Sequence, residues 1–127
     1  MAKSWQEKFE ARQAPEVAVL EKRFGGMEPG RRMLISTPAE VEEFVMAIPT
    51  GETVSVAEMR DALARKHGCD GTCPLTASIF LRIVAERALE QGRSVPFWRI
   101  IDPKSPLAAK LSCGLDYIAR MRAGETT

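Results

Sequence analysis

The residues best equipped for chemistry are few: three cysteines and one histidine in 127 residues. His67, Cys69, Cys73 and Cys113 make a nominal zinc set. However, Cys69 and Cys73 stand as Cys-x3-Cys, unlike the usual Cys-x2-Cys knuckle, and Cys113 is remote in sequence. Zinc ligands must converge tetrahedrally, and this spacing does not arrange that locally, so no metal is expected. Cys73 has two readings. It adjoins the N-terminus of an expected helix, whose dipole favours a thiolate, or it is a small buried apolar residue. The single histidine restricts acid–base chemistry, and no Gly-rich phosphate loop, paired catalytic carboxylates or Ser-His-Asp set is present. None of these residues points to a cofactor, and none forms a recognised catalytic set.

Two arginines and an aromatic pair are the remaining candidates. Arg82 either meets phosphate from a helix face or pairs at i+4 with Glu86, on a strip shared with Ser78 and Glu90. Two glutamates on that strip would repel a DNA backbone. Arg99 either binds phosphate or holds helix packing. Phe97 and Trp98 are adjacent in an expected strand, which points them to opposite faces. One then fills the core, and the other lines a pocket or the surface, where stacking on a base is the functional alternative.

The elements that must position these residues follow from caps and periodicity. Thr37 with Glu40 forms a capping box with Pro38 in the first turn, and Val41, Phe44, Val45 and Ile48 make one apolar stripe. Ser55 with Glu58 opens a second helix to about Lys66, with Val56, Met59 and Leu63 inward and Gly68 closing it. A third helix runs from about Pro74 to Glu90 and ends at Gly92. Its broad apolar face is Ala77, Phe80, Leu81, Val84 and Ala88, with a second face at Leu75, Ile79 and Ile83, so central burial is expected. Val95–Ile101 is β-prone and ends in the turn Asp102–Pro106. Leu111, Leu115, Ile118 and Met121 support a last helix from about Gly114 to Arg122.

Ahead of these, residues 1–32 read as an N-terminal extension or arm, and residues 33–127 as the domain. Val17, Leu20 and Phe24 recur at helical spacing between Pro15 and Gly25-Gly26, and Gly25–Gly30 reads as a linker. Met33, Leu34 and Ile35 then enter the domain in extended form. The order helix, helix, helix, strand with turn, helix predicts a mainly α fold, a winged helix-turn-helix with a short strand or wing.

Ile48-Pro49-Thr50-Gly51, then Thr53-Val54-Ser55 opening a helix, then a longer helix, then Pro96-Phe97-Trp98-Arg99-Ile100-Ile101 form a recognisable series. It resembles the C-terminal domain of the methylated-DNA–protein-cysteine methyltransferases and their alkyltransferase-like relatives, over roughly residues 39–102. In that family the last segment reads Pro-Cys-His-Arg followed by two aliphatics. Its cysteine takes the alkyl group from a flipped guanine, and its histidine helps form the thiolate. Here those positions are Phe97 and Trp98, which supply neither nucleophile nor base. The alkyltransferase-like relatives carry tryptophan in place of the cysteine but usually retain the histidine. The family's nucleotide-rotating tyrosine corresponds to Val56, and its base-replacing arginine falls nearest Ala77. Pro106–Ser112 stands where a glycine-rich segment follows the wing.

The resemblance implies a non-catalytic DNA-binding protein for damaged or distorted DNA, with Arg99, Trp98, Arg82, Ser55 and Lys104 as contacts. The competing reading is a winged-helix protein-interaction module that no longer binds DNA, with residues 1–32 as docking element. A net charge of +1 gives no strong overall field toward polyanions or lipid. No apolar run approaches the ~20 residues that cross a bilayer, and the charged N-terminus is unlike a signal peptide, so a cytoplasmic protein is expected.

Overall fold

Capped helix starts organise the chain, and the computed structural model describes residues 3–125. Helix α1 is Trp5–Glu10, followed by strands β1 (Glu16–Val19) and β2 (Arg32–Ile35). Helices α2 (Pro38–Met46) and α3 (Val56–Lys66), strand β3 (Gly71–Thr72) and the long helix α4 (Pro74–Gln91) come next. A 3-10 turn at Phe97–Arg99 leads to α5 (Pro106–Lys110) and α6 (Leu115–Glu125). The fold is mainly helical with one small three-stranded sheet.

The Thr37 hydroxyl accepts the Glu40 N–H, and the Ser55 hydroxyl accepts the Glu58 N–H, as the spacing predicts. The Thr37 box is only half made. The Glu40 carboxylate turns instead to the Ser36 hydroxyl at 2.5 Å, His67 Nε2 at 2.7 Å and Lys66 Nζ at 3.1 Å, tying α2 to the end of α3. Burial pushes that carboxyl up, but hydrogen bonds from Ser36, His67 and Lys66 outweigh it and hold it below its ordinary value. Gly92 ends α4 at φ +63°, a left-handed conformation that costs glycine least.

The core forms where α2 and α3 close on α4. Val41, Val45, Met59, Leu81 and Val84 are fully buried, and Phe80 is nearly so. The second apolar face of α4, expected to be buried with the first, is closed only at Ile83. Leu75 is 62% and Ile79 48% exposed, because the segments on either side leave a gap over that stripe. Glu86, expected on the outer strip, is 4% exposed. Residues 111–114 cover its face, and its carboxylate accepts the Ser112 N–H at 3.3 Å and the Ser112 hydroxyl at 2.5 Å. A buried carboxylate needs such donors to replace water.

Two segments differ in type from the sequence reading. Val17, Leu20 and Phe24 do not lie on a helix. Glu16–Val19 pairs antiparallel with β2 (Glu16↔Ile35, Val19↔Arg32), and β2 pairs parallel with β3. So short a segment between Pro15 and Gly25 is a marginal helix, and the backbone of β2 offers ladder hydrogen bonds instead. Residues 95–101 form no strand. Arg99 N–H reaches Pro96 O at 3.1 Å and Ile100 N–H reaches Phe97 O at 3.2 Å, a 3-10 turn. Phe97, Ile100 and Ile101 are all buried, an i, i+3, i+4 spacing that a helical turn satisfies and an alternating strand does not. Phe97 and Trp98 therefore share contact instead of facing apart, their rings edge-on at 5.6 Å.

The segment expected as an arm lies against the rest of the molecule. Trp5 and Phe9 pack on the core cluster. Gln6 Oε1 accepts from Arg87 Nε at 2.7 Å and from Gln91 Nε2 at 2.6 Å, and Arg87 also pairs with Glu42 at 3.1 Å. Among the described residues, no helix is long and apolar enough to cross a membrane.

Candidate groove between the third and fourth helices

Leu75, Ser78, Ile79 and Arg82 recur at i, i+3, i+4 and i+7, so α4 presents them as one stripe. Facing that stripe are Ser55 and Val56 at the start of α3 and Ile100 and Ile101 after the 3-10 turn. The cavity between them measures about 640 Å³. Its lining joins aliphatic side chains to the hydroxyls of Ser55, Ser78 and Ser105, with Arg82, Lys110 and Arg122 beside Glu58 and Asp102, and Arg122 donates Nε to Trp98 O at 2.5 Å. Helix α5 supplies one wall. The Ser105 hydroxyl caps it at the Ala108 N–H, with Pro106 in the first turn.

Arg82 is held by its surroundings. Its Nη2 donates to Lys110 O at 3.4 Å, and its guanidinium lies 5.4 Å from the Trp5 ring centroid. Its Nε is buried and makes no hydrogen bond within the described residues. The expected i+4 partner, Glu86, is turned inward to Ser112, so of the two glutamates on that strip only Glu90 faces solvent.

Of the five sequence-derived contact candidates, Ser55 and Arg82 line the groove. Arg99 does not. Its Nη1 donates to Ile48 O at 2.8 Å, its Nη2 to Thr50 Oγ1 at 3.0 Å and Glu125 Oε2 at 2.7 Å, and its Nε to Glu125 Oε1 at 3.0 Å. The packing alternative is the one the structure contains, because these donors are engaged within the chain. Trp98 donates Nε1 to Glu125 Oε2 at 2.9 Å and is part-buried, away from the groove. Lys104 is exposed in the turn before α5, outside the cavity lining. The Arg99 hydrogen bond, followed by those from Trp98 and the Gly51 N–H, draws the Glu125 carboxyl down to about 2 against the cost of burial.

The cysteines stay apart in function. Cys73 occupies the N-cap position of α4 without a side-chain capping bond and is 4% exposed, closed to solvent where a reactive thiol needs access. Burial, with Glu86 nearby, pushes the Cys113 thiol up. His67 is committed to Glu40, and Cys69 donates weakly to His67 O at 3.7 Å. Among the described residues, no group of three His, Cys, Asp or Glu side chains gathers to hold a metal. Ala77, the nearest counterpart of the family's base-replacing arginine, is 1% exposed and belongs to the core.

Lys110 and Arg122 were missed by sequence reasoning. Ser105-Pro106 was a readable cap for α5, but what α5 and α6 face depends on long-range packing. No family model, curated protein or solved structure matches the chain.

Proposed function

We propose that the chain is a non-catalytic, alkyltransferase-like DNA-binding protein, with α3 and α4 as a helix-turn-helix pair and the groove as receptor for a displaced base or distorted strand. The observation that carries this is the placement of the cavity. Ile100 and Ile101 of the Pro96–Ile101 series and Val56 after Ser55 line one largely apolar hollow, with Arg82, Lys110 and Arg122 among its lining residues. An apolar hollow takes the face of a base, and its cations attract the phosphates beside it. Phe97, at 2% exposure, is core, so the reading includes no alkyl acceptor at that position.

The test is a titration of a short labelled duplex, plain and carrying one methylated guanine, at about 50 and about 200 mM salt. Tighter binding of the methylated duplex, weakening with salt, supports the reading. No binding to either duplex at low salt rejects it.

The second reading, a protein-interaction module, is favoured by one feature. Strand β1 is a sheet edge with Val17 45% and Val19 66% exposed, a template for strand addition by a partner.

A further inference from the structure

A second cavity, of about 490 Å³, adjoins the groove and shares Ile79 and Arg82 as walls. Its charge character differs. The charged residues lining it are Lys3, Lys8, Arg12 and Arg82, all cations, whereas the groove also contains two carboxylates. This arrangement depends on α1 being docked. The Ser4–Glu7 capping box fixes the start of the helix, and Trp5 packs against the core cluster. Lys8 Nζ then lies 4.2 Å from the Trp5 ring centroid, with the Arg82 guanidinium at 5.4 Å from the same ring. The ring's negative face eases the approach of two cations that would otherwise repel.

Two of the four cations, Lys3 and Lys8, carry charge that no carboxylate pairs among the described residues. Arg12, half-buried, pairs with the exposed Glu16 at 2.8 Å. Glu7 is held below its ordinary value by Ser4 first and Lys3 last, and its Oε1 accepts the Ser4 N–H at 3.0 Å.

We propose that this cavity is a phosphate ledge, on which a DNA strand leaving the groove crosses Ile79 and Arg82 and lays its backbone against Lys3, Lys8 and Arg12. The inference rests on the DNA-binding reading above and adds a footprint for it on the N-terminal helix. An all-cationic cavity continuous with the groove suits a polyanion running through both. The ledge positions the strand and carries no information about its sequence.

The test titrates the full chain and its Lys3→Ala/Lys8→Ala variant with plain and methylated-guanine duplexes across a salt series, after circular dichroism confirms an unchanged fold. The ledge predicts roughly tenfold weaker binding of both duplexes and a salt slope shallower by about two, near 0.9 per lost phosphate contact. The ratio between the two duplexes stays the same. Binding with unchanged affinity and slope in the variant overturns the ledge and leaves the groove reading standing. A variant that changes the ratio but not the slope overturns it as well. If the unsubstituted chain binds neither duplex, both readings fall.

Discussion

The Arg99 guanidinium brackets the Glu125 carboxylate, Nε at 3.0 Å from Oε1 and Nη2 at 2.7 Å from Oε2, and so ties the end of α6 to the 3-10 turn. The same arginine reaches Ile48 O and Thr50 Oγ1, so one side chain joins the loop after α2 to the C-terminal helix. Both side chains are part-buried, at 14% and 15% exposure, which removes most of the competition from water.

Arg99→Ala is expected to destabilise the fold by about 2–3 kcal/mol, since it takes the cation from Glu125, leaving Trp98 and the Gly51 N–H as donors, and removes a donor from Ile48 O. Arg99→Lys recovers only part of this, because an ammonium lacks the planar fork. Urea melts of the three proteins check the order.

The same pair sets an acid limb. Glu125 titrates at about 2 in the folded chain, below its ordinary 4.5. A depressed carboxyl stabilises the fold fully above its unfolded value and loses that contribution as pH falls through the folded one. Stability should therefore decline between about pH 4.5 and pH 2, and Arg99→Ala should flatten that decline. What slope remains belongs partly to Glu40, lowered in the same direction. Thermal melts across the range decide it, and parallel profiles for the two proteins refute the assignment.

Glu86→Ala should cost about 1–3 kcal/mol by leaving Ser112 without its acceptor, whereas Glu90→Ala, at the exposed end of α4, should stay within about half a kcal/mol. Equal effects in denaturant melts would return Glu86 to the surface.

These contrasts mark what was legible in the sequence. Thr37, Ser55 and Gly92 act within a few residues of themselves, so the limits of α2, α3 and α4 could be read directly. The face Leu75, Ile79 and Ile83 was visible as periodicity, but the exposure of Leu75 and Ile79 was not, because what covers a helix face is decided by distant chain. Glu86 shows the converse, a carboxylate drawn inward by Ser112, twenty-six positions away. The Pro96–Ile101 segment misled because β-prone residues were given weight over the i, i+3, i+4 spacing of Phe97, Ile100 and Ile101. Helix α1 was missed although Ser4 and Glu7 form its capping box. Of the expected contact residues, Ser55 and Arg82 line the groove, while Arg99 and Trp98 are engaged by Glu125, a partner no local pattern identifies.

The chain should accept no alkyl group from methylated guanine in DNA. Phe97 and Trp98 offer no nucleophile, and Cys73 is buried at the start of α4. Intact-protein mass after incubation with such an oligonucleotide should be unchanged. A gain of one methyl on any cysteine would contradict this and direct attention to Cys73.

The central claim, that the groove receives DNA, is tested most directly by mapping backbone amide shifts in labelled protein as a methylated-guanine duplex is added. The account predicts the largest shifts at Ser55, Val56, Ser78, Ile79 and Lys110, with Val17 and Val19 on the β1 edge unmoved. Shifts confined to the β1 edge, or none anywhere at low salt, would contradict it.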